Sequence, residues 1–133
     1  MMENSLVPID PALLALMHGS FGKDGTLMPF AREIMLVECA IAGTSHRPVK
    51  DLEPSLIPET FLVLKREPGN PHDDLAIMIL TEAGEHLGYV PRAKNEALAR
   101  LMDAGKFLFA RVEDKDWHGE WLQVDVRIFL RDI

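Results

Sequence analysis

The amino-acid sequence predicts a mainly β fold: six short strands closing into a barrel, with one or two helices. Three observations predict it. Apolar runs rich in Val, Ile, Leu and Phe recur between clusters of Gly, Pro, Asn and Asp, the pattern of strands joined by turns. One stretch with helical spacing, opened by Pro91 and stopped by Gly105, falls before the fifth run. The last run alternates strictly, with Leu122, Val124, Val126 and Ile128 on one face and Gln123, Asp125 and Arg127 on the other.

Taken in order, residues 8–17 read as a short helix with Asp10 as N-cap, Pro11 at the first helical position and Gly19 beyond its end. Residues 32–42 read as a buried strand closed by Gly43, with helix as the alternative for so apolar a run. Residues 44–58 hold Pro48, Pro54 and Pro58 and read as a long rim loop. Strands at 61–67 and 75–80 flank a turn at 68–74, and a further strand covers 86–90. The helix carries Ala93, Ala97, Leu98, Leu101 and Met102 on a narrow core-facing stripe. Strands at 106–113 and 120–130 then flank a polar turn at 114–119. Six strands with one inserted helix fit an OB-like or SH3-like barrel, which removes exposed sheet edges. The predicted division is an N-terminal extension with a short helix over 1–30 and a barrel domain over 31–133. Leu13, Leu14, Leu16 and Met17 of the extension are expected to pack on the outside of the barrel or on a second copy.

Composition narrows the function. A hydrophobic share of 47% and a charged share of 26% are those of a globular chain. The single cysteine, Cys39, sits in an apolar run and predicts a buried thiol in a reducing compartment. The absence of a signal-like N-terminus or a long apolar span gives a cytoplasmic expectation and no membrane partner. A net charge of −7 argues against a sequence-blind coating of nucleic acid, because that mode scales with the number of phosphates neutralised. Any nucleic-acid binding has to come from a local pocket.

Residues 65–77 run Lys-Arg-Glu-Pro-Gly-Asn-Pro-His-Asp-Asp-Leu-Ala-Ile, and residues 87–92 run Leu-Gly-Tyr-Val-Pro-Arg ahead of the helix. Upstream, residues 41–46 run Ile-Ala-Gly-Thr-Ser-His. In this order the segments resemble the HIRAN domain family, over roughly Arg32 to Leu130. The resemblance implies a six-stranded OB-like barrel that recognises the 3′-hydroxyl end of single-stranded DNA, with a role in DNA repair or replication-fork processing. It also implies a helicase-type or repair protein as a partner, since relatives are often fused to remodelling motors. No Gly-x-x-x-x-Gly-Lys-Ser/Thr loop occurs in this chain, so the expectation is a stand-alone, non-catalytic module without a cofactor. Carried over residue by residue, the DNA-binding set is Ser45, His46, Arg47, Asn70, His72, Asp73, Tyr89 and Arg92. Tyr89 and the two imidazoles are suited to stacking on splayed bases, Arg47 and Arg92 to a phosphate, and Asp73 to a terminal hydroxyl or base amine. Where relatives place tyrosines, this sequence has His46 and His72, which predicts weaker stacking that depends on pH near the ordinary histidine value of about 6.5.

Each of these residues also has a purely structural reading. Asn70 and Asp73 are turn formers, Gly43 and Gly88 suit close backbone packing or a bulge, and Glu67 is expected to pair with a nearby arginine such as Arg66. Trp117 and His118 in the polar turn form either a contact surface or a barrel plug. His46, His72, His86 and Asp73 lack the tight spacing of metal ligands, so no metal is expected and a metal-assisted phosphodiesterase is the weaker alternative. The stronger alternative is a protein-interaction domain using the same barrel. The sequence leaves the oligomeric state open.

Overall fold

The computed structural model describes residues 32–47 and 49–132. The helix expected at 8–17 and its packing lie outside the described residues. The strands are β1 (Arg32–Ala40), β2 (Phe61–Arg66), β3 (Ile77–Leu80), β4 (His86–Tyr89), β5 (Phe107–His118) and β6 (Trp121–Asp132). The helices are α1 (Val49–Leu52) and α2 (Arg92–Asp103). One compact unit is Met35–Leu130, and the few described residues outside it belong to a second unit, where Arg131 meets Glu33 at 3.5 Å.

The six strands form one sheet in the order β1-β6-β5-β2-β3-β4, and within Met35–Leu130 this antiparallel sheet curls into a half-barrel of OB-like type. The inward face is apolar because strand residues alternate sides. Leu62 and Leu64 of β2, Leu108, Ala110 and Val112 of β5, and Leu122, Val124, Val126 and Ile128 of β6 all lie in one core. On the other face, Phe61, Phe109 and Phe129 stack at 5.1 and 5.3 Å, and Arg111 lies over both Phe109 and Phe129.

Two features position the site. The first is the crossing at Ile41 and Ala42. Ile41 N–H donates to Val124 of β6, while Ala42 and Tyr89 exchange N–H···O bonds of 2.8 and 2.9 Å, so the chain leaving β1 is pinned against β4. Gly88 makes this approach possible, since a Cβ there would lie 2.3 Å from the Ala42 carbonyl oxygen. The second is the seating of α2. Pro91 supplies the extended residue before it, and at its end Gly105 N–H reaches Met102 and Lys106 N–H reaches Leu101, the paired bonds of a left-handed glycine stop. Leu98 and Ala99 bury against the core.

The structure corrects several expectations. β1 is exposed to half-buried rather than buried, because it occupies one end of the strand order. The polar stretch 114–118 is not a turn but the outer half of β5, a ribbon whose faces carry no apolar alternation. The long loop contains two 3-10 turns, Thr44–His46 and Glu53–Ser55, around α1. Cys39 is half-buried, and desolvation pushes its thiol up to about 11. Among the described residues no helix is long and apolar enough to cross a membrane.

Candidate nucleic-acid interface

The turn between β2 and β3 is organised by its own side chains. Asn70 Oδ1 accepts the N–H groups of His72 (2.8 Å) and Asp73 (3.1 Å), and Asp73 Oδ1 accepts that of Leu75 (2.9 Å). This is the backbone-mimicking behaviour of Asn and Asp in turns. The second oxygen of Asp73 receives Asn95 Nδ2 of α2 at 2.8 Å and lies 3.6 Å from Arg92 Nε. The Leu75 amide first, and then Asn95, hold the Asp73 carboxyl below its ordinary value, so it is an anion at neutral pH. Asn95 is itself buried, at 3% exposure, which a polar amide tolerates only with such a partner.

Glu67 does not pair with Arg66. Adjacent residues at a strand end face opposite sides, and Arg66 turns to Asp103 (2.9 Å) and to the carbonyls of Ala76 and Asp74. Glu67 Oε1 instead accepts the Tyr89 hydroxyl at 2.7 Å and Asn70 Nδ2 at 2.8 Å. The Asn70 amide first and the Tyr89 phenol second lower the Glu67 carboxyl, and the same bond to Glu67 raises the Tyr89 phenol. The Tyr89 ring meets His86 edge-on at 4.9 Å and has the Arg47 guanidinium 5.8 Å from its centre. Burial, then Arg47, lowers the His86 imidazole, which keeps it neutral at physiological pH.

Asn70, His72, Asp73, Tyr89 and Arg92 line one concavity of about 260 Å³, with Ala42 and Gly43 at its margin. The Arg92 side chain is 76% exposed and donates to the His72 carbonyl at 3.0 Å, while Asp73 beside it is 16% exposed, so the cation is held at the surface by exchangeable contacts and the anion is fixed. Ser45 and Arg47 lie instead in a neighbouring concavity with Lys50, His118 and Trp121. His46 is exposed on the 3-10 turn and lines neither of these two. Five of the eight expected residues are therefore together, two are next door with Arg47 reaching back over Tyr89, and His46 stands apart.

The sequence reading passed over Glu67, Asn95 and Trp121 as parts of the site. Trp121 is 40% exposed, tilts against His118 at 5.2 Å, and donates its indole N–H to Thr44 Oγ1 at 2.8 Å. An outward-facing tryptophan at the start of a strand, beside Trp117 and His118, was the available signal. For Asn95 the signal was a polar residue in phase with Leu98, Ala99 and Met102 on the buried stripe. Trp117 is 44% exposed and so is not a barrel plug. Among the described residues no group of three or more His, Cys, Asp or Glu side chains is placed to hold a metal ion.

The sequence profile of the HIRAN domain matches residues 34–131, about three quarters of the chain. The chain belongs to the HIRAN domain family. That family is known for DNA binding. Two solved structures are similar in fold. A protein from Lactobacillus plantarum superposes with a TM-score of 0.71 at 25% identity, over 78% of this chain and 100% of that one. The HIRAN domain of human HLTF superposes with a TM-score of 0.58 at 17% identity, over 74% of this chain and 78% of that one, a likeness of fold alone. No curated protein matches the chain.

Proposed function

We propose that this HIRAN domain is a non-catalytic module that binds the 3′-hydroxyl end of single-stranded DNA. The observation that carries the reading is the Tyr89 concavity, where a stacking ring, an exposed cation and a fixed carboxylate meet within one small volume. The terminal base stacks at Tyr89, Arg92 swings to the adjacent phosphate, and Asp73 accepts the terminal hydroxyl. The neighbouring concavity, with Trp121 and Arg47, continues the path for the preceding nucleotide. A role at repair or replication intermediates, where such ends arise, follows from the same recognition.

Net charge shapes the expected energetics. With −7 overall, and with Lys50 drawn to Glu120 at 3.2 Å, Arg92 and Arg47 are the cations that the two concavities offer to phosphates. Affinity therefore rests on stacking and one hydroxyl. Fluorescence anisotropy of a short labelled single strand, titrated at low and physiological salt, tests this. Two phosphate contacts predict a slope of log affinity against log salt of about −1.4, and Arg92→Ala should lower both the affinity and the slope, the latter by about 0.7. No affinity for any oligonucleotide at low salt would move the assignment to a protein-interaction domain, which the carboxylate of Asp73 at the pocket would then favour.

A further inference from the structure

We infer that Glu67 is a positioning residue for the single-stranded DNA pocket: its carboxylate holds the Tyr89 ring and the Asn70 turn in the binding arrangement without touching the ligand. The inference rests on the reading just given and adds a residue to it.

One oxygen does both jobs. Glu67 Oε1 accepts the Tyr89 hydroxyl and the Asn70 amide, from a strand and a turn that fold together from positions 19 residues apart. With its hydroxyl directed to Glu67, the Tyr89 ring cannot swing about its side-chain bonds, so the face it offers to a base is set before a ligand arrives. With its Nδ2 tethered, Asn70 turns Oδ1 toward the N–H groups of His72 and Asp73, which shapes the segment carrying both of those side chains. Two walls of the concavity are thus joined through a single carboxylate.

Position argues for this role over direct contact. Glu67 does not line the concavity, whereas its partners Asn70 and Tyr89 do, so an anion that would otherwise repel nearby phosphates acts on the ligand through the geometry it enforces. Its second oxygen has no ligand-facing task in this scheme, and the Arg47 guanidinium nearby offsets part of the repulsion. Positioning by a charged acceptor is also stronger than by a neutral one, which gives a graded expectation for substitution.

Tyr89 is the one tyrosine in the chain, so the near-ultraviolet absorbance of the phenolate reports on this joint alone. In the full chain, Glu67→Gln keeps an acceptor oxygen and loses the charge, and Glu67→Ala loses both. The phenol of the unaltered protein should titrate above the ordinary value of about 10, and both variants should bring the midpoint down. Affinity for an oligothymidylate with a free 3′ hydroxyl should fall by less than about fivefold in Glu67→Gln and by about tenfold or more in Glu67→Ala, with both variants folded by circular dichroism. A folded Glu67→Ala protein within about twofold of the original affinity overturns the inference. So does a phenol midpoint unmoved in both variants. If the alanine variant does not fold, the glutamine variant and its titration decide. Absence of affinity in the unaltered protein overturns the DNA reading instead, and the phenol titration, which needs no ligand, tells that failure apart from this one.

Discussion

Gly88→Ala is expected to destabilise the fold by about 3 kcal/mol or more, the largest stability effect foreseen for a single methyl group. The added Cβ would lie 2.3 Å from the Ala42 carbonyl oxygen and 2.7 Å from Ile41 Cγ2, at a φ of +154° that side chains rarely adopt. Neither neighbour is free to move. Ala42 is bonded to Tyr89 in both directions, and the Ile41 N–H is bonded to Val124. Relief requires opening the junction between the chain leaving β1 and β4, which also carries the 44–47 turn away from Tyr89. Urea denaturation followed by circular dichroism measures the effect. A midpoint corresponding to less than about 1 kcal/mol of destabilisation would mean that the close approach at Gly88 is not a structural requirement.

Tyr89→Ala is expected to reduce single-stranded DNA affinity by roughly tenfold to a hundredfold. Loss of one stacked base accounts for about 1–3 kcal/mol, and each 1.4 kcal/mol is a decade. The substitution also frees Glu67 and Asn70, so the turn carrying His72 and Asp73 loses an anchor. Tyr89→Phe separates the two contributions, since it keeps the stacking face and removes only the hydroxyl. It should fall between the original protein and the alanine variant in an anisotropy titration. Equal loss in both would assign the effect to the hydroxyl network, and no loss in either would remove Tyr89 from the interface.

Much of the fold was legible because its signals are periodic. β6 shows its one-sided burial in the alternation from Leu122 to Ile128, and α2 announces both ends through Pro91 and Gly105. What was not legible lacks a period. α1 and the 3-10 turns are three or four residues long, too short for a helical repeat to show. Residues 114–118 extend β5 through charged and exposed positions, where pairing with a neighbour rather than burial defines the strand. β1 looked buried from its apolar content, and only its place at one end of the strand order explains its exposure.

The site divides along the same line. The local contacts of Asn70 and Asp73 span two or three residues and follow from turn chemistry, so their structural role could be read directly. Asn70, three residues from Glu67, was within local reach, but its other partner Tyr89 lies 22 residues away and the carboxylate partner of Arg66 lies 37 away, contacts that the tertiary fold sets and sequence proximity misleads about. The resemblance located the concavity by motif order, yet it could not separate Ser45 and Arg47 into the neighbouring hollow or place His46 outside both.

The central claim is that this pocket reads a free 3′ terminus, and the test is the affinity for one short single strand presented with a 3′ hydroxyl and with a 3′ phosphate. Asp73 decides the outcome. The Leu75 amide and Asn95 fix its carboxylate in place and keep it ionised, so in the proposed complex it accepts a hydrogen bond from the terminal hydroxyl and repels a second anion. Arg92 could attract the added phosphate, but its side chain is largely exposed and its attraction is screened, while Asp73 is sheltered. The account predicts that the phosphorylated strand binds about tenfold more weakly or worse. Equal or tighter binding of the blocked strand would contradict it.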